Sequence, residues 1–315
     1  MGLCSPLNLH TFAPEIKNGK KDMKTKTLLL AAFATISLTA SAITQQNDGV
    51  ITVKASKASQ GLVKKWIEGY KQVNPDVQIE LVSGKGVDAD LTLVNQRQNE
   101  KNTTYVGRYA LLPVTSVDNP LLNDLQRKEW KSKDLKKLFF KAEDADEEYE
   151  EEIESKGNKL KDRITVYSGS NKASVTSTFA SHFGRSVEDL RGNKIAGDDI
   201  YLLSAIGEDK TSVTFNPIAN LYNLSSRTLR SDLAMLPLAG KKEQSETLKN
   251  GNLDDILSLL ENTNIDLIPV EEIGFTYTSA DRNIDAFLLW VVNDGQQYNH
   301  QQGFLRLNNK ETASK

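Results

Sequence analysis

The residues best placed to do chemistry in this chain form an internal echo. Ile51-Thr52-Val53 is followed after three residues by Lys57-Ala58-Ser59, and Ile164-Thr165-Val166 is followed after five by Lys172-Ala173-Ser174. In each copy the first triplet ends a strand and the second opens a helix, with small polar residues in the turn: Ser56 in the first, Ser168 to Ser174 in the second. Free amides at a helix N-terminus, beside hydroxyls, suit an anion with several acceptor oxygens. In open α/β sheets such turns lie at the carboxyl edges of strands, where ligands bind, and two facing turns would make a clamp. Serine before a helix is also an ordinary cap, and a three-residue echo arises easily by chance, so both readings stand.

Catalytic chemistry finds less to work with. Beyond residue 42 the histidines are His182 and His300, isolated and read as surface residues, and no His/Cys spacing fits zinc. There is no G-x-S-x-G elbow, complete P-loop or G-x-G-x-x-G; Ser83-Gly84-Lys85-Gly86 is half of a phosphate motif. Asp88 and Asp90 could bind a metal, but such a pair more often caps or turns. A Ser-Lys hydrolase stays open and needs Lys57 or Lys172 buried and deprotonated. The expectation is a protein that is not an enzyme and uses no cofactor or metal.

The elements that would position these residues follow from periodicity. Val50–Ala55 reads as a strand, and Leu62, Val63, Trp66, Ile67, Tyr70 and Val73 share one face of a helix from Ser59 to Asn74, stopped by Pro75. Val77, Ile79 and Leu81 alternate as a half-buried strand, which completes a βαβ unit and implies a parallel sheet. Asp90–Val94 is the next strand. A second strand, Ile164–Tyr167, precedes a helix carrying Val175, Phe179 and Phe183. Near the end, Ile284, Phe287, Leu288, Val291 and Val292 mark an amphipathic helix starting near Ser279 or Asp281, and Phe304–Leu307 a last short strand.

Lys24 and Lys26, an apolar run from Leu28 to Leu38 and Ala40-Ser41-Ala42 make a secretory signal over residues 23–42, cleaved after Ala42; the run is too short to span a bilayer. Met23 then reads as the true start, with residues 1–22 an over-read extension. The remaining 273 residues carry 34 basic and 40 acidic side chains, net −6, which argues against a nucleic-acid partner. The one cysteine, Cys4, falls in the extension, so no disulfide holds the mature chain and no cysteine at the cleavage point receives lipid. Nine acids between 143 and 154 lie in an insert over 141–162, read as a solvated surface segment at a junction between lobes.

Taken together these stretches resemble the phosphate-binding proteins of bacterial ABC importers. The likeness runs from Ile51 to Leu307 and is clearest in Ile51–Val82, with Lys65-Trp66, Tyr70 and Asn74-Pro75, and in the tail, where Phe287-Leu288-Leu289-Trp290-Val291, Gly295-Gln296 and Gly303-Phe304 look like the closing helix and "GQ…GY" ending. Asn119-Pro120 followed by Leu138-Phe139-Phe140 is similar to a segment ending in the family's Phe-Gly. The resemblance implies an α/β, two-lobed periplasmic binding protein fold of type II, each lobe a mixed sheet flanked by helices. It implies lobe 1 from 43–115 and 275–315 and lobe 2 from 116–274. Ligand contacts map onto Ser56, Lys57, Ser59, Ser83 and, in place of an aspartate, Asn95. In the second lobe they map onto Ser168 and Ser170 or onto Lys172 and Ser174. The arginine that usually precedes the second-lobe serines has no counterpart, and the glycine-rich run shrinks to Gly84-Lys85-Gly86, which puts phosphate itself in question. The implied protein is a periplasmic monomer without membrane insertion or lipid anchor. It would capture inorganic phosphate or a similar anion and present it to a membrane permease. A chain that keeps this fold as a ligand-free interaction or sensor protein is the other reading.

Overall fold

Alternation of Ile51 and Val53 with Thr52 and Lys54 buries two side chains and leaves two half-buried, the pattern of a strand with one face on the core. The computed structural model describes residues 49–84, 86–95, 102–142, 160–170, 175–279 and 281–308, in which strands and helices are interspersed. The extension, the signal segment and residues 143–159 of the acidic insert lie outside them. The strands are β1 (Ile51–Lys54), β2 (Ile79–Val82), β3 (Leu91–Val94), β4 (Thr103–Ser116), β5 (Thr165–Gly169), β6 (Asn193–Ile195), β7 (Ser212–Pro217), β8 (Leu233–Met235) and β9 (Val270–Thr276). The principal helices are α1 (Lys57–Val73), α2 (Ser132–Phe139), α3 (Val175–His182), α4 (Ile200–Glu208), α5 (Lys242–Asn250), α6 (Leu253–Asn262) and α7 (Arg282–Val292). Among the described residues no helix is long and apolar enough to cross a membrane.

The strands join in the order β2-β1-β3-β9-β4-β7-β5-β6, with β8 also on β4. β1, β2 and β3 are parallel, as are β6, β5 and β7, while β9 runs antiparallel to both β3 and β4. This is two mixed sheets, each flanked by helices, that share one long strand. The handover lies inside β4: Thr103 to Ala110 pair with β9, and Leu111 to Thr115 pair with β7. Pro269, just before β9, accepts the Leu111 amide at 3.0 Å, so the two chain crossings between the lobes run side by side.

Each lobe has its own aromatic centre. Trp66, Phe275, Phe287 and Tyr70 pack edge-on in the first, and Phe139, Phe179 and Phe215 pack in the second, with Phe179 stacked on Phe215 at 3.7 Å between ring centroids. The tail closes the first lobe over an irregularity in β4. The register slips between Tyr105 and Gly107, which releases the Val106 carbonyl from the ladder. Gln296 Nε2 (2.9 Å) and Asn299 Nδ2 (3.2 Å) donate to that carbonyl, and Trp66 Nε1 donates to Gly295 O at 3.0 Å. A Cβ at Gly107 would lie 2.6 Å from Asn299 Nδ2, so the bare backbone there is what admits the amide. The Gly295-Gln296 pair thus has a structural task.

Several boundaries differ from expectation. Helix α1 starts at Lys57, with Ser56 as its N-cap residue, because the extended Ser56 backbone lets its carbonyl accept the amides of Ser59 and Gln60 at 3.0 Å each; Ser59 lies inside the first turn. α7 starts where its sequence suggests, with Asp281 accepting from the amides of Asn283 and Ile284 at 2.9 Å each. The expected last strand is a single bridge between Leu305 and Arg108. His300 is only partly exposed, since Glu261 Oε1 sits 2.8 Å from its Nε2. Burial works to raise the Glu261 carboxyl, but His300 and the Arg306 amide outweigh it and hold it below its ordinary range.

Candidate anion-binding cleft

Register places the expected first-lobe residues on one edge. Lys54 pairs with Val82 on one side and Thr92 on the other, so the parallel strands β1 and β2 end level and β3 runs two residues further. Ser56 and Lys57 follow β1, Ser83 follows β2, and Asn95 follows β3. Ser56 is half-buried, Ser59 is 2% exposed, and Lys57 and Ser83 are exposed. Ser56 Oγ lies 3.3 Å from Ser59 Oγ and makes no capping bond to the helix. With Ser59 and Gln60 bonded to the Ser56 carbonyl, the amides of Lys57 and Ala58 have no partner among the described residues. Two free amides at the positive end of a 17-residue helix, beside two hydroxyls, are what an oxyanion requires.

Asp90 does something other than bind metal. Its carboxylate accepts from the Thr52 amide (2.8 Å) and hydroxyl (2.7 Å), which ties the loop before β3 to β1. The Thr52 hydroxyl foremost holds this carboxyl below the usual aspartate value.

The second-lobe turn is built differently. Ser168 is fully buried, and its Oγ accepts from Lys194 Nζ at 2.9 Å; the same ammonium donates to Val187 O at 3.0 Å. The Gly169 amide donates to Thr176 Oγ1 (2.9 Å) and the Ser170 amide to Ile195 O (2.9 Å), while the Ser170 side chain is exposed. Lys172 and Ser174 lie outside the described residues. Burial, then the nearby Lys141 charge, lowers Lys194 from the ordinary lysine value. Ser168 and Lys194 form the one Ser-Lys contact in this turn among the described residues, and a serine with no exposed surface offers a substrate no approach. Lys57 shows the opposite of a buried base: Tyr201 first, then Asp198, holds its ammonium above the ordinary lysine value.

The two edges meet through residues that periodicity does not reveal. Lys57 Nζ donates to Tyr201 OH at 3.2 Å and lies 3.4 Å from Asp198 Oδ2, at the start of α4. Asp198 comes three residues after Ile195, the partner of the Ser170 amide, so Lys57 of the first turn reaches the neighbourhood of the second. Gly197, at φ +105°, makes this possible: a Cβ there would lie 2.9 Å from the Tyr201 ring. Below, Tyr109 of β4 is 3% exposed; its hydroxyl donates to Asn95 O at 2.8 Å and lies 2.8 Å from Thr178 Oγ1 of α3. Asn95 Oδ1 is wholly buried and has no hydrogen-bond partner among the described residues. Asp199, beside Asp198, is pushed up to about 6 by burial and then by the charge of Asp198, and its charge in turn bears on Tyr109. The Asp198-Asp199 pair ahead of an apolar helix was readable as a helix start; its place across from Lys57 was not.

No family model matches the sequence, and no curated protein does. Among solved structures the chain is similar to one described as a phosphate ABC transporter substrate-binding protein with bound phosphate, from Clostridium perfringens. The two share 12% identity at a TM-score of 0.55, over 82% of this chain and 100% of that one. An ABC-type phosphate transport receptor from Vibrio cholerae aligns at 14% identity and a TM-score of 0.52, again over 82% and 100%. The likeness shows the fold, the two-lobed α/β architecture expected from the sequence resemblance.

Proposed function

We propose that this chain is an exported solute-binding protein, not an enzyme, that captures phosphate or a related small oxyanion between its lobes and presents it to the membrane permease of an ABC-type importer. One observation carries the reading. The first turn keeps two unpartnered amides and two hydroxyls at the N-terminus of α1, and Lys57 of the same turn reaches residues at the start of α4 in the other half of the sheet. A ligand seated on that turn contacts both lobes at once and favours their closure. The resemblance of sequence and fold points the same way. The contacts are assigned to Ser56, Lys57, Ser59, Ser83 and Asn95 from one side and to Ser170 from the other, with Ser168 acting from behind through Lys194. Lobe 1 comprises 43–115 and 275–315 and lobe 2 comprises 116–274, bounds that fall about five residues beyond the crossings, where β4 changes partner after Ala110 and β9 begins at Val270. The location is the periplasm after removal of the signal segment, as a monomer without lipid.

Thermal unfolding against phosphate, sulfate, molybdate and organic phosphates tests this. A ligand at 100 times its Kd stabilises the folded state by about 2.7 kcal/mol, a rise of several degrees. A panel that leaves the melting temperature unmoved removes the reading. It would favour a protein that kept the fold and lost the ligand, for which one observation already speaks: the cation of the first turn is taken up by Asp198.

A further inference from the structure

We infer that Asp198 and Tyr201 form a latch that favours the closed cleft before any ligand arrives: the Asp198 carboxylate serves as an internal counter-anion for the Lys57 ammonium, and a bound oxyanion takes its place. The exchange rests on the anion-capture reading and adds a regulation of that site; the ligand-free closure stands without it.

Lys57 is poorly suited to its own helix. It is the first residue of α1, where a cation opposes the positive end of the helix, and no acid lies in that first turn to offset it. Its counter-charge comes from the other half of the sheet. Three contacts converge on the one ammonium: the Tyr201 hydroxyl accepts from it at 3.2 Å, Asp198 Oδ2 lies 3.4 Å away, and the centroid of the Tyr201 ring lies 5.3 Å away. The segment that offers them is held in place. Gly197 lies against the Tyr201 ring at a φ of +105°, the Asp198 carbonyl accepts the Tyr201 amide at 3.0 Å, and the Asp199 carbonyl accepts from Asn216 Nδ2 of β7 at 2.8 Å. Among the described residues Lys57 is the cation that Asp198 reaches. The pair is also weak enough to exchange. Its side chains are 61% and 37% exposed, and an ion pair so open to water shifts an equilibrium by about fivefold at most. An oxyanion on the free amides of Lys57 and Ala58 competes for the same ammonium. A buried pair would lock the lobes; this one holds and yields.

Spin labels at two exposed positions, Lys64→Cys in α1 and Glu208→Cys in α4, with Cys4→Ser, report the separation of the lobes by pulsed electron resonance without ligand. The otherwise unsubstituted chain gives the shorter separation. Asp198→Asn and Lys57→Met each shift the population to a longer one, and Tyr201→Phe, which keeps the ring and loses the acceptor, does so less. Sodium chloride at about 1 M, where charges are screened beyond about 3 Å, shifts the unsubstituted chain the same way and leaves Asp198→Asn unmoved. Calorimetry with phosphate then tests the exchange. Asp198→Asn binds about two- to fivefold tighter, because no internal carboxylate competes, and the gain vanishes in a Lys57→Met background. Equal separations in the unsubstituted and Asp198→Asn chains overturn the latch. A gain that survives Lys57→Met overturns the exchange, because simple relief of repulsion does not need Lys57. Separations that lengthen as expected while phosphate, sulfate and molybdate all fail to bind support the latch and remove the anion-capture reading instead.

Discussion

The turn after β1 and the described start of the turn after β5, Ser168 to Ser170, are made of similar residue types and are bonded differently. After β1, two amides are left without partners and Ser56 spends its hydroxyl only on Ser59. After β5, the Gly169 amide is bonded to Thr176 Oγ1, the Ser170 amide to Ile195 O, and the Ser168 hydroxyl to Lys194 Nζ. The first turn has bonding capacity to offer a ligand; in the second, the described groups at Ser168, Gly169 and Ser170 are spent within the protein, and residues 171–174 lie outside the described residues. A serine-rich strand-to-helix turn is therefore a site only where the surrounding chain withholds partners, and it is a structural joint where the chain supplies them.

Changes at single residues can sharpen or break that contrast. The largest effect is expected beside the second turn, at Asp199. Its carboxyl rises from an ordinary 3.8 to about 6 in the folded state, so folding disfavours the ionised form. The penalty is absent below pH 4, grows as pH rises through the interval between 4 and 6, and is complete above it. Asp199→Asn should then stabilise the protein at pH 8, with a ceiling of about 3 kcal/mol, and give little at pH 4. Urea unfolding at the two pH values measures this, and a variant no more stable at pH 8 than at pH 4 would show that Asp199 is better solvated than its surroundings indicate.

Next comes Thr176→Val. Thr176 has no exposed surface, and its hydroxyl is the acceptor for the Gly169 amide. The change strands a buried donor and should cost about 1–3 kcal/mol without weakening any anion bound at the first turn. The smallest effect on stability belongs to Ser56→Ala, because this hydroxyl makes no cap bond to α1. The melting temperature should stay within about 2 °C, as for most surface substitutions, while the shift produced by a bound anion falls. If Ser56→Ala unfolds the protein as readily as Thr176→Val does, the two turns are alike and the contrast is wrong.

Much of the fold was legible because its signals are local. The apolar stripe from Leu62 to Tyr70, the stop at Asn74-Pro75, and the Asp281 cap ahead of Ile284 each lie within a few residues of the element they specify. β4 was not legible. Its 14 residues do not alternate, since the strand is buried on both faces through its second half, and Gly107 and Pro113 interrupt the run. The pairing of Gln296 and Asn299 with the Val106 carbonyl explains the tail motif, and no local pattern in the tail could announce a partner some 190 residues away.

By itself the sequence determined a net-acidic α/β chain, two strand-turn-helix units with an anion-competent composition, and the helices whose faces are patterned every three to four residues. Only the tertiary structure decided that the first turn keeps two amides without described partners, that Lys57 is answered by Asp198 and Tyr201, and that Ser168 is buried on Lys194. The physical reason is range. Helix and strand periodicity is set by neighbours in sequence, whereas the satisfaction of an amide or a charge depends on whatever the packed chain brings within 3 Å of it, and those groups come from segments far apart along the chain.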